Sequence, residues 1–107
     1  MDIKQYSIVL VNLDPTVGSE IKKTRPCLVL SPNEMNKFLR TIIVAPMTSS
    51  QKSYPTRVKI IHNKKEGAAA IDQIRTIDRS RIIKVLGKIS KKEVSTCKEV
   101  LQETLVD

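Results

Sequence analysis

The apolar positions of this chain fall in short runs whose period changes along the sequence. Ser7–Leu13 (SIVLVNL) is rich in β-branched residues and stops at Asp14-Pro15, the pattern of a strand meeting a turn. Cys27–Leu30 predicts a second strand, closed by Ser31-Pro32-Asn33, and Thr41–Ala45 a third. Between them, Asn33–Leu39 is short and polar and predicts a single helical turn. Over Thr56–Ile61, Arg57 and Lys59 alternate with Val58 and Ile60, the period of a half-exposed strand. His62–Gly67 predicts a turn, Ala68–Ile74 a further strand, and Ile82–Ile89 the last.

The period changes at Ser90. Ser90-Lys91-Lys92-Glu93 fits a capping box, in which the serine hydroxyl accepts from the Glu93 amide while the glutamate reaches back. Val94, Cys97, Leu101 and Leu105, with Val100 beside them, then share one face of a helix of about four turns. About six short strands and one closing helix predict one domain over residues 1–107. It is mainly β with a C-terminal helix, a small barrel of bent antiparallel strands.

Composition sharpens this picture. Apolar residues make up 40% of the 107, enough for a core, and Tyr6, Phe38 and Tyr54 are the whole aromatic set. The core is therefore built from Val, Ile and Leu, and self-association would add burial to so small a domain. Nineteen Lys and Arg against eleven Asp and Glu give a formal charge of +8, which favours nucleic acid as partner. A membrane surface is disfavoured, because the lysines of the terminal helix sit beside acids. The N-terminal apolar run is too short for a secretion signal or a membrane span. Cys27 and Cys97, remote from each other, read as small buried hydrophobes in a reducing cytoplasm.

The candidate chemistry lies in two segments. Leu13–Ser31 (LDPTVGSEIKKTRPCLVLS) mounts Glu20, Lys22, Lys23 and Arg25 on a loop between two strands. Ala45–Ser50 (APMTSS) puts hydroxyls just after another strand. The one histidine, His62, falls in a predicted turn and reads as solvated. Metal-ligand clusters, nucleophile elbows, phosphate loops and dinucleotide loops are absent. Such a set suits a substrate that brings its own nucleophile, as RNA does with its 2′-hydroxyl. Glu20 would be the base, Arg25 the clamp on the phosphoryl oxygens, and Thr48 or Ser49 a hydroxyl donor to the phosphate. Each residue also has a plainer reading. Gly18 can serve a loop turn, Arg25 can pair with Glu20 at the surface, and Thr48 and Ser49 can bond their own backbone.

Four blocks in order carry a resemblance over nearly the whole chain. They are Asp14-Pro15-Thr16-Val17-Gly18-Ser19-Glu20 with Thr24-Arg25-Pro26, then Val44-Ala45-Pro46-Met47-Thr48-Ser49, then Tyr54-Pro55-Thr56. The fourth is Gly67 leading into Asp72-Gln73-Ile74-Arg75-Thr76-Ile77-Asp78, continued by Arg81 and Gly87-Lys88. In these the chain resembles the MazF/PemK/Kid family of toxin ribonucleases. The resemblance implies an SH3-like barrel, MazF/CcdB-like, that forms a homodimer. It implies an enzyme that cuts single-stranded mRNA at short sequences, independently of the ribosome. The products are a 2′,3′-cyclic phosphate and a 5′-hydroxyl, formed without metal or cofactor. The family's catalytic arginine and threonine fall on Arg25 and Thr48, and its G-S-E glutamate on Glu20. A cognate antitoxin would lay a disordered acidic segment over the cationic groove. Some plasmid-borne relatives carry an arginine two residues before the D-Q aspartate, where this chain has Ala70. Asp72 is then expected to bond backbone or a base.

RNA contacts are expected from both segments. Gly18, Ser19, Lys22, Lys23, Ser49, Ser50, Lys52 and Arg57 would follow the phosphates. Asn36, Gln51 and Gln73, with Asp72, would read base edges. Tyr54 would stack or pack beside Pro55, and Arg75, Arg79 and Arg81 would brace the fold or bind the antitoxin. Two rivals share the fold class: a CcdB-like toxin that binds gyrase without catalysis, and a noncatalytic RNA-binding barrel. The G-S-E, R-P and P-M-T-S blocks argue against the first; cleavage of bare RNA separates both from a nuclease.

Overall fold

A computed structural model describes residues 1–12, 24–49 and 54–106. Among the described residues, seven strands form one curled antiparallel sheet. They are β1 (Ser7–Asn12), β2 (Thr24–Val29), β3 (Thr41–Thr48), β4 (Arg57–His62), β5 (Lys65–Ala70), β6 (Arg75–Asp78) and β7 (Ile82–Lys88). A short helix α1 (Asn33–Phe38) joins β2 to β3, and α2 (Lys91–Leu101) closes the chain. The strand order is β4-β5-β3-β2-β1-β7, with β6 pairing to β3 beside that path. The mainly-β class with a C-terminal helix is the one the sequence predicts.

Alternation explains how one sheet builds two cores. In β1, Ile8 points to one face and Val9 and Val11 to the other, and all three are buried. The same division runs through β2, where Leu28 joins Ile8 while Cys27 and Val29 join Val9. Each such fully buried Val, Leu or Ile contributes about 1.5–3 kcal/mol. Helix α2 covers the Ile8 face with Cys97 and Val100 buried, and Val94 and Leu101 packed against the cluster. The expected capping box at Ser90 forms in full, the Glu93 amide donating to Ser90 Oγ (3.2 Å) and the Ser90 amide to Glu93 Oε1 (2.8 Å).

Several elements differ from the expectation. Leu105 is exposed, because beyond Leu101 the helix widens into a π-type turn (Gln102–Val106) that rotates its last face. The turn at His62–Gly67 shrinks to Asn63-Lys64, both with positive φ (52° and 62°), the geometry of a type I′ hairpin. Lys65–Gly67 thereby already belong to β5, and that strand stops at Ala70 because Ile71–Gln73 form a 3₁₀ turn. Strand β6 was not expected at all. It forms because β3 changes partner along one edge, pairing Thr41–Val44 with β6 and Met47–Thr48 with β5.

Candidate active site

The expected loop ends are held together at Asn12 and Thr24, which face each other across β1 and β2. Downstream, β2 and β3 pair at Val29↔Val44, Leu28↔Ala45 and Cys27↔Pro46, and there the pairing stops. Two prolines account for the stop. If Cys27 and Pro46 form the hydrogen-bonded pair, Pro46 has no N–H to give. In the other phase the next bond needs the N–H of Pro26, equally missing. Past this point the strands part, with Arg25 and Pro26 on one side and Met47 and Thr48 on the other. A cavity of about 410 Å³ opens there, lined by these four residues and by Thr24 and Ser49. Continuing the register two residues beyond Cys27↔Pro46 sets Arg25 level with Thr48.

The far wall comes from the β4–β5 hairpin. His62, Lys65, Glu66 and Gly67 line the same cavity, over an apolar floor of Ile8, Met47 and Leu86. Gly67 is small for a reason: a Cβ there would stand 3.2 Å from the Thr48 carbonyl oxygen. His62 is half-buried and lies against Gly87 of β7, where a Cβ would come within 2.7 Å of the imidazole Cε1. The solvated-turn reading of His62 is therefore corrected. The two-residue turn makes it the last residue of β4, opposite Lys65, and its ring closes the wall between β4 and β7. Lys65 and Glu66, too, were hidden by assigning them to a turn. An Asn-Lys pair read as an I′ turn would have exposed all three. The Glu66 carboxylate is engaged by Lys59 of β4.

The remaining expected residues separate. Asn36 does not reach the site. It is fully buried, donating from Nδ2 to the Ser31 carbonyl (2.9 Å) and accepting from Ser31 Oγ. The Ser31 hydroxyl in turn accepts from the Ile43 amide (3.1 Å), so Asn36 ties α1 to β3 and cannot read a base. Arg57, Asp72 and Gln73 lie outside the cavity lining. Asp72 accepts from Arg57 Nε (3.0 Å) and Thr56 Oγ1 (3.0 Å). The guanidinium, and then the threonine, hold its carboxyl below the usual aspartate range despite an opposing desolvation contribution. Its arginine thus comes from β4 rather than from position 70, and Arg57 also lies over the exposed Tyr54 ring (5.2 Å to its centre). Gln73 is exposed on the 3₁₀ turn. Arg79 donates to the Met1 carbonyl (3.1 Å) and so braces the fold. Gly18, Ser19, Glu20, Lys22, Lys23, Ser50, Gln51 and Lys52 lie outside the described residues.

Burial raises the thiols of Cys27 and Cys97 to about 11; at Cys27, Arg25 and Arg75 oppose the rise. Both thiols are free. Among the described residues no three His, Cys, Asp or Glu side chains are grouped to hold a metal ion, and no helix is long and apolar enough to cross a membrane. What the cavity offers is a planar cation, hydroxyls and an imidazole around a space able to take a phosphodiester.

A curled sheet of this topology, opened between an R-P strand and a P-M-T strand, defines a class of small toxins. The model of PemK-like, MazF-like toxins of type II toxin–antitoxin systems matches residues 4–105, and the chain belongs to that family. It is 33% identical over 92 residues to the endoribonuclease toxin MazF of Escherichia coli K12, covering 85% of this chain and 83% of that one. It is 32% identical over 111 residues to the endoribonuclease EndoA of Bacillus subtilis, covering 98% and 96%. Among solved structures, MazF from Deinococcus radiodurans superposes with a TM-score of 0.81 at 28% identity, covering 100% and 99%. A MazE–MazF structure from the same organism gives 0.84 at 28% identity, covering 99% and 97%.

Proposed function

We propose that this chain is a ribosome-independent endoribonuclease toxin that cuts single-stranded mRNA at a short sequence. In this reading the 2′-hydroxyl attacks the adjacent phosphorus, giving a 2′,3′-cyclic phosphate and a 5′-hydroxyl. Arg25 binds the phosphoryl oxygens and stabilises the charge that builds on them, and Thr48 donates a hydroxyl to the same phosphate. Glu20 takes the 2′-proton. Gly18, Ser19, Lys22, Lys23, Ser49, Ser50, Gln51 and Lys52 follow the strand, and Arg57, Asp72 and Gln73 extend the track outside the cavity. The protein works in the cytoplasm as a homodimer, without a metal, and a cognate antitoxin neutralises it by covering the groove with an acidic segment.

One observation carries the reading: in a member of a toxin family, Arg25 and Thr48 border a single cavity though they come from remote parts of the chain. Relatives named endoribonuclease and a relative solved with MazE support the activity and the partner. The test is primer extension on a long RNA treated with purified protein, with end groups identified by mass spectrometry. Defined cut sites bearing cyclic phosphates are expected. Arg25→Ala should abolish cutting while circular dichroism and melting stay native, since the side chain is exposed and outside both cores. Wild-type cutting by that variant refutes the clamp. EDTA should leave the rate unchanged; loss on chelation with recovery on adding a divalent ion refutes the metal-free mechanism.

A further inference from the structure

Among the described residues that line the cavity, His62 carries the one imidazole, the side-chain type suited to exchanging a proton near neutral pH. A guanidinium and an aliphatic hydroxyl both hold their protons throughout that range, so neither group type is suited to protonate a departing alkoxide. His62 lines the cavity with Arg25 and Thr48, half-buried, its ring seated on Gly87 and its strand end fixed by the hairpin. Arg25 on β2 and Lys65 and Glu66 on β5 line the cavity with it, and the Glu93 carboxylate on α2 lies near enough to interact with the imidazole. Strand β7 sets Gly87 beside the ring, and its Leu86 lines the same cavity.

We infer that His62 is the general acid of this site, delivering a proton to the 5′-oxygen as the RNA chain breaks. The inference rests on the nuclease reading above. The 2′-oxygen forms its bond to phosphorus as its proton passes to the carboxylate base. The bond from phosphorus to the 5′-oxygen breaks, and that oxygen takes the imidazolium proton and leaves as a hydroxyl. Glycine at position 87 is then part of the device, because a larger residue would push the imidazole off its seat.

The experiment uses two RNA oligonucleotides that carry the cut site found by primer extension. One is ordinary, and the other has sulfur in place of the bridging 5′-oxygen, so its thiolate leaves without needing a proton. His62→Ala should cleave the ordinary substrate about 10²–10⁴-fold more slowly than wild type. It should cleave the sulfur substrate at close to the wild-type rate. Gly87→Ala should show the same pattern, and His62→Gln replaces His62→Ala if the smaller side chain fails to fold. Wild-type cutting of the ordinary substrate by the His62 variants overturns the inference. So does an equal loss on both substrates, which would make His62 a positioning residue only. Absence of any defined cut site for the wild-type protein in primer extension overturns the nuclease reading itself and the acid with it.

Discussion

Replacing Asn36 by Ala separates two readings of one residue. From sequence it is a base reader, and from structure it is a buried tie between α1 and β3. The truncation removes the donor to the Ser31 carbonyl and the acceptor of the Ser31 hydroxyl, both in a dry environment. Each buried group left without a partner costs about 1–3 kcal/mol, so the pair costs roughly 2–6 kcal/mol. Against a total stability of about 5–15 kcal/mol that is a large share. For a domain of this size each kcal/mol moves Tm by roughly 4–8 °C, which gives a drop on the order of 10–50 °C. The loss should be this large because α1 has no side-chain cap of its own: Pro32 occupies the N-cap and offers none.

The assay is thermal unfolding at matched protein concentration, paired with cut-site mapping at a temperature where both proteins are folded. The variant should melt far earlier yet cut the same sequences. Native melting with altered cut sites would refute the reasoning, since Asn36 would then be reaching RNA.

Two further perturbations test other parts of the chain. The Glu93 carboxylate accepts from the amides of Ser90 and Ile61, and although burial pushes its proton affinity up, these bonds and the Ser90 hydroxyl outweigh it and leave its pKa lowered. A folded-state value below the unfolded one means stability present above about pH 4.3 and lost as pH falls further. Glu93→Gln should therefore cost about 1 kcal/mol at neutral pH and flatten that acid limb in urea melts; an unchanged limb rules the carboxylate out. Cys27 and Cys97, with thiols raised to about 11, should resist iodoacetamide at pH 8 in the native protein and react on unfolding. Prompt native labelling would contradict their burial.

The strands most legible in the sequence are those buried on both faces or cleanly alternating: β1, β4 and the apolar parts of β2 and β3. Capping chemistry made α2 equally plain, since Ser90 and Glu93 are a local signal that needs no tertiary context. Strand β6 was invisible because Arg75–Asp78 buries only Ile77, and its pairing exists only where β3 frees an edge. The extension of β3 through Pro46-Met47-Thr48 was missed for a related reason, as a proline normally marks a strand's end. Arg25 and Thr48, expected to share a site, both line the cavity, each two residues from a residue of the last β2–β3 pair. His62 was not expected there, because the seat of its ring depends on a glycine 25 positions away on another strand. Asn36 was misread because a lone asparagine in a polar segment looks the same whether it faces water or a buried serine.

The electrostatics of the cavity follow from where its one described carboxylate is held. Glu66 lines the wall, and an unpaired carboxylate there would repel a phosphodiester. Lys59, one strand over on β4, engages it, and Glu66 and Lys59 both belong to a hairpin whose register is fixed by Val58 and Ile60 in the core. The neutralised pair leaves Arg25 and Lys65 to set the local potential, on a chain whose formal charge is +8. The two cations are mounted differently. Arg25 extends from the rigid end of β2, two residues from buried Cys27, whereas Lys65 sits beside the exposed hairpin tip. A guanidinium on a fixed stem can grip a phosphate in one geometry, and a lysine at a tip adds charge without direction. On the nuclease reading, long-range attraction would bring the RNA in and fade with salt, while the geometry that selects the bond to break would be set by the core beneath Arg25 and Thr48.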